Sequence, residues 1–160
     1  MRKTILTSLA IGAAVLMGAE ARAQQGPMMY GPEVSLESAK KAAAAAAAEA
    51  KKNNWYLAIS VVGPSGQLLY FERMEGTQFA SIKISEHKAR AAATYRRATK
   101  VFAEGLAKGG TFILTLDDAI ASPGGIPLVA GGKIVGAIGC SGATGDQDHQ
   151  SCEAGAKALQ

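Results

Sequence analysis

Between Ser122 and Ala143 the chain reads as a β-hairpin whose second strand carries glycine where a core would normally hold side chains. Alternating apolar residues run up to Gly131-Gly132, a pair that can take the positive φ of a tight turn. Gly136 and Gly139 then fall inside the returning pleat, and Gly142 and Gly145 follow in the loop. Glycine inside a strand weakens it unless another backbone or a ligand must come close. Two readings follow: a binding surface stripped of side chains, or a helix packed tightly on the sheet.

The elements before and after the hairpin set the fold class. Ser35 is a plausible N-cap for an alanine-rich helix from Leu36 to about Lys52, with seven consecutive alanines, Ala42 to Ala48, and Asn53-Asn54 as its stop. Trp55 to Val62 alternates as a strand with Trp55, Leu57, Ile59 and Val61 on one face. Gly63-Pro64-Ser65-Gly66 turns the chain into a returning strand, Gln67 to Arg73. A long helical region from about Ala80 to Lys108 breaks near Ala98-Thr99 and stops at Gly109-Gly110. Thr111 to Leu116 is expected as a third strand, the glycine hairpin comes next, and a helix from about Asp146 to Leu159 closes the chain. Its inward stripe is Cys152, Gly155, Ala156 and Leu159. The order α-β-β-α-α-β-β-β-α, with strands that return by short turns, predicts an α+β domain: one antiparallel sheet of about five strands with packed helices.

The first residues fix an expected compartment. Arg2 and Lys3, an apolar stretch from Ile5 to Met17, and Ala21-Arg22-Ala23 form the three parts of a secretory signal peptide, cut after Ala23. Loss of Arg2, Lys3, Arg22 and Glu20 lowers the formal charge from +4 to +2, which leaves no nucleic-acid footprint. Residues 1–23 are thus read as the signal, 24–34 as a flexible arm and 35–160 as the domain of a periplasmic or secreted protein. Tyr30 is the arm residue best suited to docking on a partner subunit. Cys140 and Cys152 are the only cysteines. They invite a disulfide in an oxidising compartment, and two buried thiols are the alternative.

The wording of the chain resembles the GlcG/HbpS family of small haem-binding proteins over nearly all of the mature length. The resemblance is carried by Pro123-Gly124-Gly125-Ile126-Pro127-Leu128, Gly132-Lys133-Ile134-Val135-Gly136-Ala137-Ile138-Gly139, Ser141-Gly142-Ala143 and Gln147-Asp148. Phe71-Glu72-Arg73-Met74-Glu75-Gly76, Lys88-Ala89-Arg90 and Arg97-Ala98-Thr99-Lys100 support it. It implies an antiparallel sheet with helices around it, a homo-oligomer, and haem bound at the protein surface to be sequestered, handed over or sensed with a membrane partner. Two positions depart from the family: Gly63 stands where an aspartate is usual, and Cys140 where an aliphatic residue is common. No axial ligand is carried over.

Ligands to iron are therefore sought by chemistry, among His, Met, Cys and Tyr. His87 lies on the long helix with Lys88, and with Arg90 as a cation for propionates. These three, with Gly136, Gly139 and Gly142, are the candidate cofactor-binding residues; an exposed helix histidine is the plainer account of His87. His149 stands beside Asp146 and Asp148 with Cys152 one turn on, so His87 and His149 are the candidate metal ligands. The set around His149 falls short of a closed zinc site, and acids at a helix start are expected in any case. Met28, Met29 and Tyr30 offer softer ligands, Tyr95 a phenol or a stacking ring, and Arg96, Arg97 and Lys100 a basic cluster. Gly-x-Ser-x-Gly, His-Glu-x-x-His and phosphate-loop signatures are all missing, so no catalytic residue is assigned. Haem degradation is read as a side reaction. The competing function is an accessory protein or enzyme whose glycine-walled pocket holds a small acidic ligand such as glycolate.

Overall fold

The computed structural model describes residues 28–160, so the signal sequence and the start of the arm lie outside the described residues. The elements are α1 (Leu36–Lys52), β1 (Ala58–Val62), β2 (Leu68–Arg73), α2 (Ala80–Tyr95), α3 (Lys100–Ala107), a 3-10 helix (Thr111–Thr115), β3 (Gly125–Ala130), β4 (Lys133–Ser141) and α4 (Gly145–Lys157). The four strands form one antiparallel sheet in the order β2-β1-β4-β3. This is the expected α+β architecture with one strand fewer.

The missing strand is Thr111–Thr115, which coils into the 3-10 helix. Gly109, at φ +89°, turns the chain out of α3, and the Thr115 hydroxyl donates to the Phe112 carbonyl. Phe112 and Leu114 stand 65% and 70% exposed there, and Ile113 between them is buried. The break in the long helical region falls at Arg96, whose left-handed φ of 54° ends α2.

β1 and β4 are buried on both faces. Leu57, Ile59, Val61, Ile138 and Cys140 join the alanines of α1 and the inner side of α4 in the main core. On the other face Val62 and Ala137 meet Ala89, Ala92 and Ala93 of α2. Small side chains let α2 lie close to the strands, and two hydroxyl pairs stitch it there: Ser60 with Ser85 at 2.8 Å and Ser141 with Ser81 at 3.3 Å. Gly131 and Gly132 take φ of +55° and +72° in the β3–β4 turn, as that turn type requires.

The described end of the expected arm is held on the fold. Gly31 and Val34 donate to the carbonyls of Ile134 and Val135, and Tyr30 reaches the Ala93 and Thr94 carbonyls at the end of α2. Tyr30 therefore docks on its own chain. Tyr30 forms a parallel bridge with Ile134, so this stretch runs beside β4.

Cys140 on β4 and Cys152 on α4 form a disulfide, with 5.7 Å between Cα atoms and twelve residues of separation. Closing so short a loop stabilises by about 3 kcal/mol on the chain-entropy account. Replacing both cysteines by alanine should lower the unfolding free energy by about that amount. Urea unfolding of the double variant checks this, and an unchanged midpoint would contradict it.

Candidate functional site

The glycines singled out in the sequence are filled by the protein itself. A Cβ at Gly136 would overlap the Val62 carbonyl, one at Gly139 the Ser85 carbonyl of α2, and one at Gly142 the Tyr56 carbonyl. Of the two readings of the hairpin, close packing is what the structure displays. The glycine-walled pocket needed for a small acid is occupied by backbone, so these three glycines do not form a ligand wall in this chain.

Lys88 is likewise withdrawn from solvent, at 1% exposure. Its ammonium donates to Asp148 Oδ2 at 2.7 Å and to the Cys140 carbonyl at 3.1 Å. Asp148, on α4, also accepts from the Ala143 backbone at 3.0 Å. Burial pushes the Asp148 carboxyl above the ordinary aspartate range, and the neighbouring ammonium and backbone N–H groups pull the other way. α2 and α4 lie on opposite faces of the sheet, so this ion pair clamps the layers across the end of β4. Gly124 leaves the room: its φ is +123°, and a Cβ there would lie 3.1 Å from Lys88 Nζ and 2.9 Å from Asp148 Cβ. Thr99 fixes the same loop, accepting from Gly125 N at 2.9 Å and donating to the Ser122 carbonyl at 2.7 Å. Pro123-Gly124-Gly125, Lys88 and Gln147-Asp148 thus converge on one structural lock rather than on a ligand.

His87 and Arg90 sit on the outer face of α2. His87 Nε2 is 3.0 Å from the Asp118 carbonyl oxygen and 3.2 Å from its carboxylate, and Arg90 Nε donates to the same carboxylate at 2.7 Å. Arg90 also meets Glu86 at 3.3 Å. Both side chains therefore hold the loop that follows the 3-10 helix, and Asp118 turns there with φ +59°.

His149 lies far from any closed ligand set. Cys152, its expected companion, is in the disulfide, and among the described residues no three His, Cys, Asp or Glu side chains group to hold a metal. Its Nδ1 is buried without a hydrogen-bond partner. Burial first, and then Lys100, lower its pKa from 6.5, against the opposing pull of Glu153, Asp146 and Glu104. A depressed histidine contributes stability that is present above its unfolded pKa and lost as pH falls through the folded value. Thermal melts should therefore decline as pH falls below about 6.5, and His149→Gln should flatten that decline. An equal slope in both proteins would remove His149 as the cause.

The opening suited to a ligand lies elsewhere. A cleft of about 340 Å³ is enclosed by the end of α2, α3 and the 3-10 helix. Its apolar walls include Val101, Phe102, Phe112, Ile113 and Leu116, and Tyr95 and Arg97 supply its polar atoms. Tyr95 meets Phe102 edge-on at 5.2 Å. Arg97 Nε donates to the Tyr95 carbonyl at 3.1 Å, and the guanidinium carbon stands 6.0 Å from the Phe102 ring centre. An apolar slot with a few polar groups at its rim suits a flat, mostly apolar ligand that carries negative charge. The sequence signal for it was the apolar set Phe112, Ile113 and Leu116 between Gly109-Gly110 and Asp117-Asp118.

A family model described as "Haem degrading protein HbpS-like" matches residues 34–157. The chain belongs to the HbpS-like family. It is 40% identical over 91 residues to Protein GlcG of Escherichia coli K12, across 57% of this chain and 68% of that relative. A double mutant of Streptomyces reticuli HbpS superposes with a TM-score of 0.74 at 29% identity, covering 99% of each chain. The structure of a PduOC–heme complex has a TM-score of 0.72 at 21% identity, over 80% of this chain and 96% of that one, and shows the shared fold. The family resemblance read from the hairpin and its flanking motifs is thereby confirmed.

Proposed function

We propose that this HbpS-like chain is an exported protein that binds haem in the surface cleft between α2, α3 and the 3-10 helix, to sequester or hand it on. The carrying observation is the cleft: apolar walls, aromatic rings and a rim arginine in one opening. The family description names haem. The residues present fit that group. Phe112, Val101 and Leu116 offer apolar surface to a porphyrin face, and Arg97 offers a fork-shaped cation to a propionate. Bound haem supplies a redox-active iron. The protein's part is to shield one porphyrin face and orient the carboxylates. Phe112, at 65% exposure, is surface that a ligand would remove from water.

The Cys140–Cys152 disulfide supports export, because disulfides persist in oxidising compartments. N-terminal sequencing of the protein recovered from a periplasmic or culture fraction should begin at Gln24. A homo-oligomer is part of the same reading, and light scattering gives its mass.

Hemin added to the purified protein should give a shifted Soret band that saturates at about one haem per chain. Phe112→Glu, on an exposed position, should weaken binding by about tenfold or more, which is about 1.4 kcal/mol, and leave the melting temperature nearly unchanged. A spectrum matching free hemin at every ratio would reject haem as the ligand. Full binding by Phe112→Glu would reject this cleft.

A further inference from the structure

We infer that Tyr95 is the side chain that ligates haem iron in this cleft, an inference that rests on the haem reading above. Of the residue types that ligate haem iron, His, Met, Cys and Tyr, only Tyr95 lines the opening among the described residues. Both cysteines are joined to each other. His87 faces the Asp118 loop, and the Met74 sulfur accepts from the Leu57 backbone deep in the fold. His149 packs beside Lys100 and Glu104 rather than on the cleft wall.

The Tyr95 ring is half-buried, and its hydroxyl donates to the Asp117 carbonyl. That bond lies at the exposed rim, so water can take over the carbonyl when the phenol oxygen turns to another partner. A carbonyl acceptor keeps the hydroxyl parked without fixing it in the core. Arg97, anchored on the backbone of Tyr95 itself, brings a positive charge to the same opening. On ligation the phenol O–H bond would break and an oxygen–iron bond would replace the bond from ferric iron to its hydroxide, the proton and hydroxide leaving as water with no change of oxidation state. His87 and Arg90 act on the same loop from the neighbouring turns of α2, holding Asp118 while Tyr95 holds Asp117. Asp118 lies beyond Leu116, the last residue to line the cleft, and neither His87 nor Arg90 lines the opening.

The test is hemin titration of the wild type, Tyr95→Phe, Tyr95→His and His87→Gln, read by absorption and by electron paramagnetic resonance of the ferric complex. Tyr95→Phe should lose the phenolate charge-transfer band and bind about tenfold or more weakly. Tyr95→His should restore affinity with an imidazole-type spectrum, which also answers any failure of the phenylalanine variant to fold. His87→Gln should keep the wild-type spectrum. Wild-type spectra and affinity in both Tyr95 variants, or loss of the ferric signature in His87→Gln alone, would overturn the assignment and leave haem binding standing. Failure of the wild type to bind hemin would instead sink the haem reading beneath it.

Discussion

Lys88→Met should lower the unfolding free energy by about 3–5 kcal/mol, the usual consequence of stranding one member of a buried ion pair. Lys88 and Asp148 are 1% and 2% exposed, so water cannot replace the lost ammonium. The Cys140 carbonyl would lose a donor as well. Methionine keeps most of the stem volume, so cavity formation contributes little and the loss reports the stranded carboxylate. Lys88→Met combined with Asp148→Leu should recover much of the loss, because replacing both charges by apolar groups is often close to neutral. Chemical denaturation of the two single variants and the double variant measures the coupling. Equal losses in the single and double variants would mean that the charges are not the source. Haem binding at the α3 cleft should survive in whichever variants fold, since the lock and the cleft share no residue.

The architecture was legible where local chemistry and tertiary packing agree. Ser35 caps α1 as expected, its hydroxyl accepting from Ser38 N at 3.1 Å, and Asn53 closes the helix. Gly131-Gly132 makes the hairpin turn. Cys152, Gly155 and Ala156 face inward along α4. The 3-10 segment misled because a short apolar run, here Phe112, Ile113 and Leu114, does not distinguish a strand from a helical turn. The site misled for a related reason. Lys88 and Asp148 look like surface chemistry in one dimension, sixty residues apart, and only the fold brings them to 2.7 Å beneath the sheet end. His87 lies half-buried on the outer face of α2, and its partner, Asp118, comes from a loop with no sequence mark other than its own acidity. Gly63 replaces the usual family aspartate beside an acid from the arm: the Glu33 carboxylate occupies the space that a side chain at Gly63 would enter.

Gly139→Ala should be among the most damaging single-methyl changes in the described fold, costing more than about 3 kcal/mol, at or beyond the upper end for overpacking. The added Cβ would overlap the Ser85 carbonyl and stand 2.5 Å from the Ala89 nitrogen, both backbone atoms of α2. A flexible side chain could swing away; a helix backbone can yield only by moving as a unit. α2 is held by the Ser60–Ser85 and Ser81–Ser141 contacts and by the Lys88 lock, so lifting it strains all three together. The neighbouring strand offers no escape either, because Gly139 pairs with Ser60 on one side and with Gly125 on the other. Gly125 is under the same constraint, with Thr99 and the Lys88 carbonyl where its side chain would be. Gly132→Ala serves as the contrast, since nothing lies within 4 Å of that Cβ and only its positive φ opposes the change. It should cost about 1 kcal/mol. Thermal and urea unfolding of the two variants separates the cases. If Gly139→Ala were as stable as the wild type but failed to bind haem, the bare backbone would be a ligand surface after all, and the close approach of α2 would not be what selects glycine there.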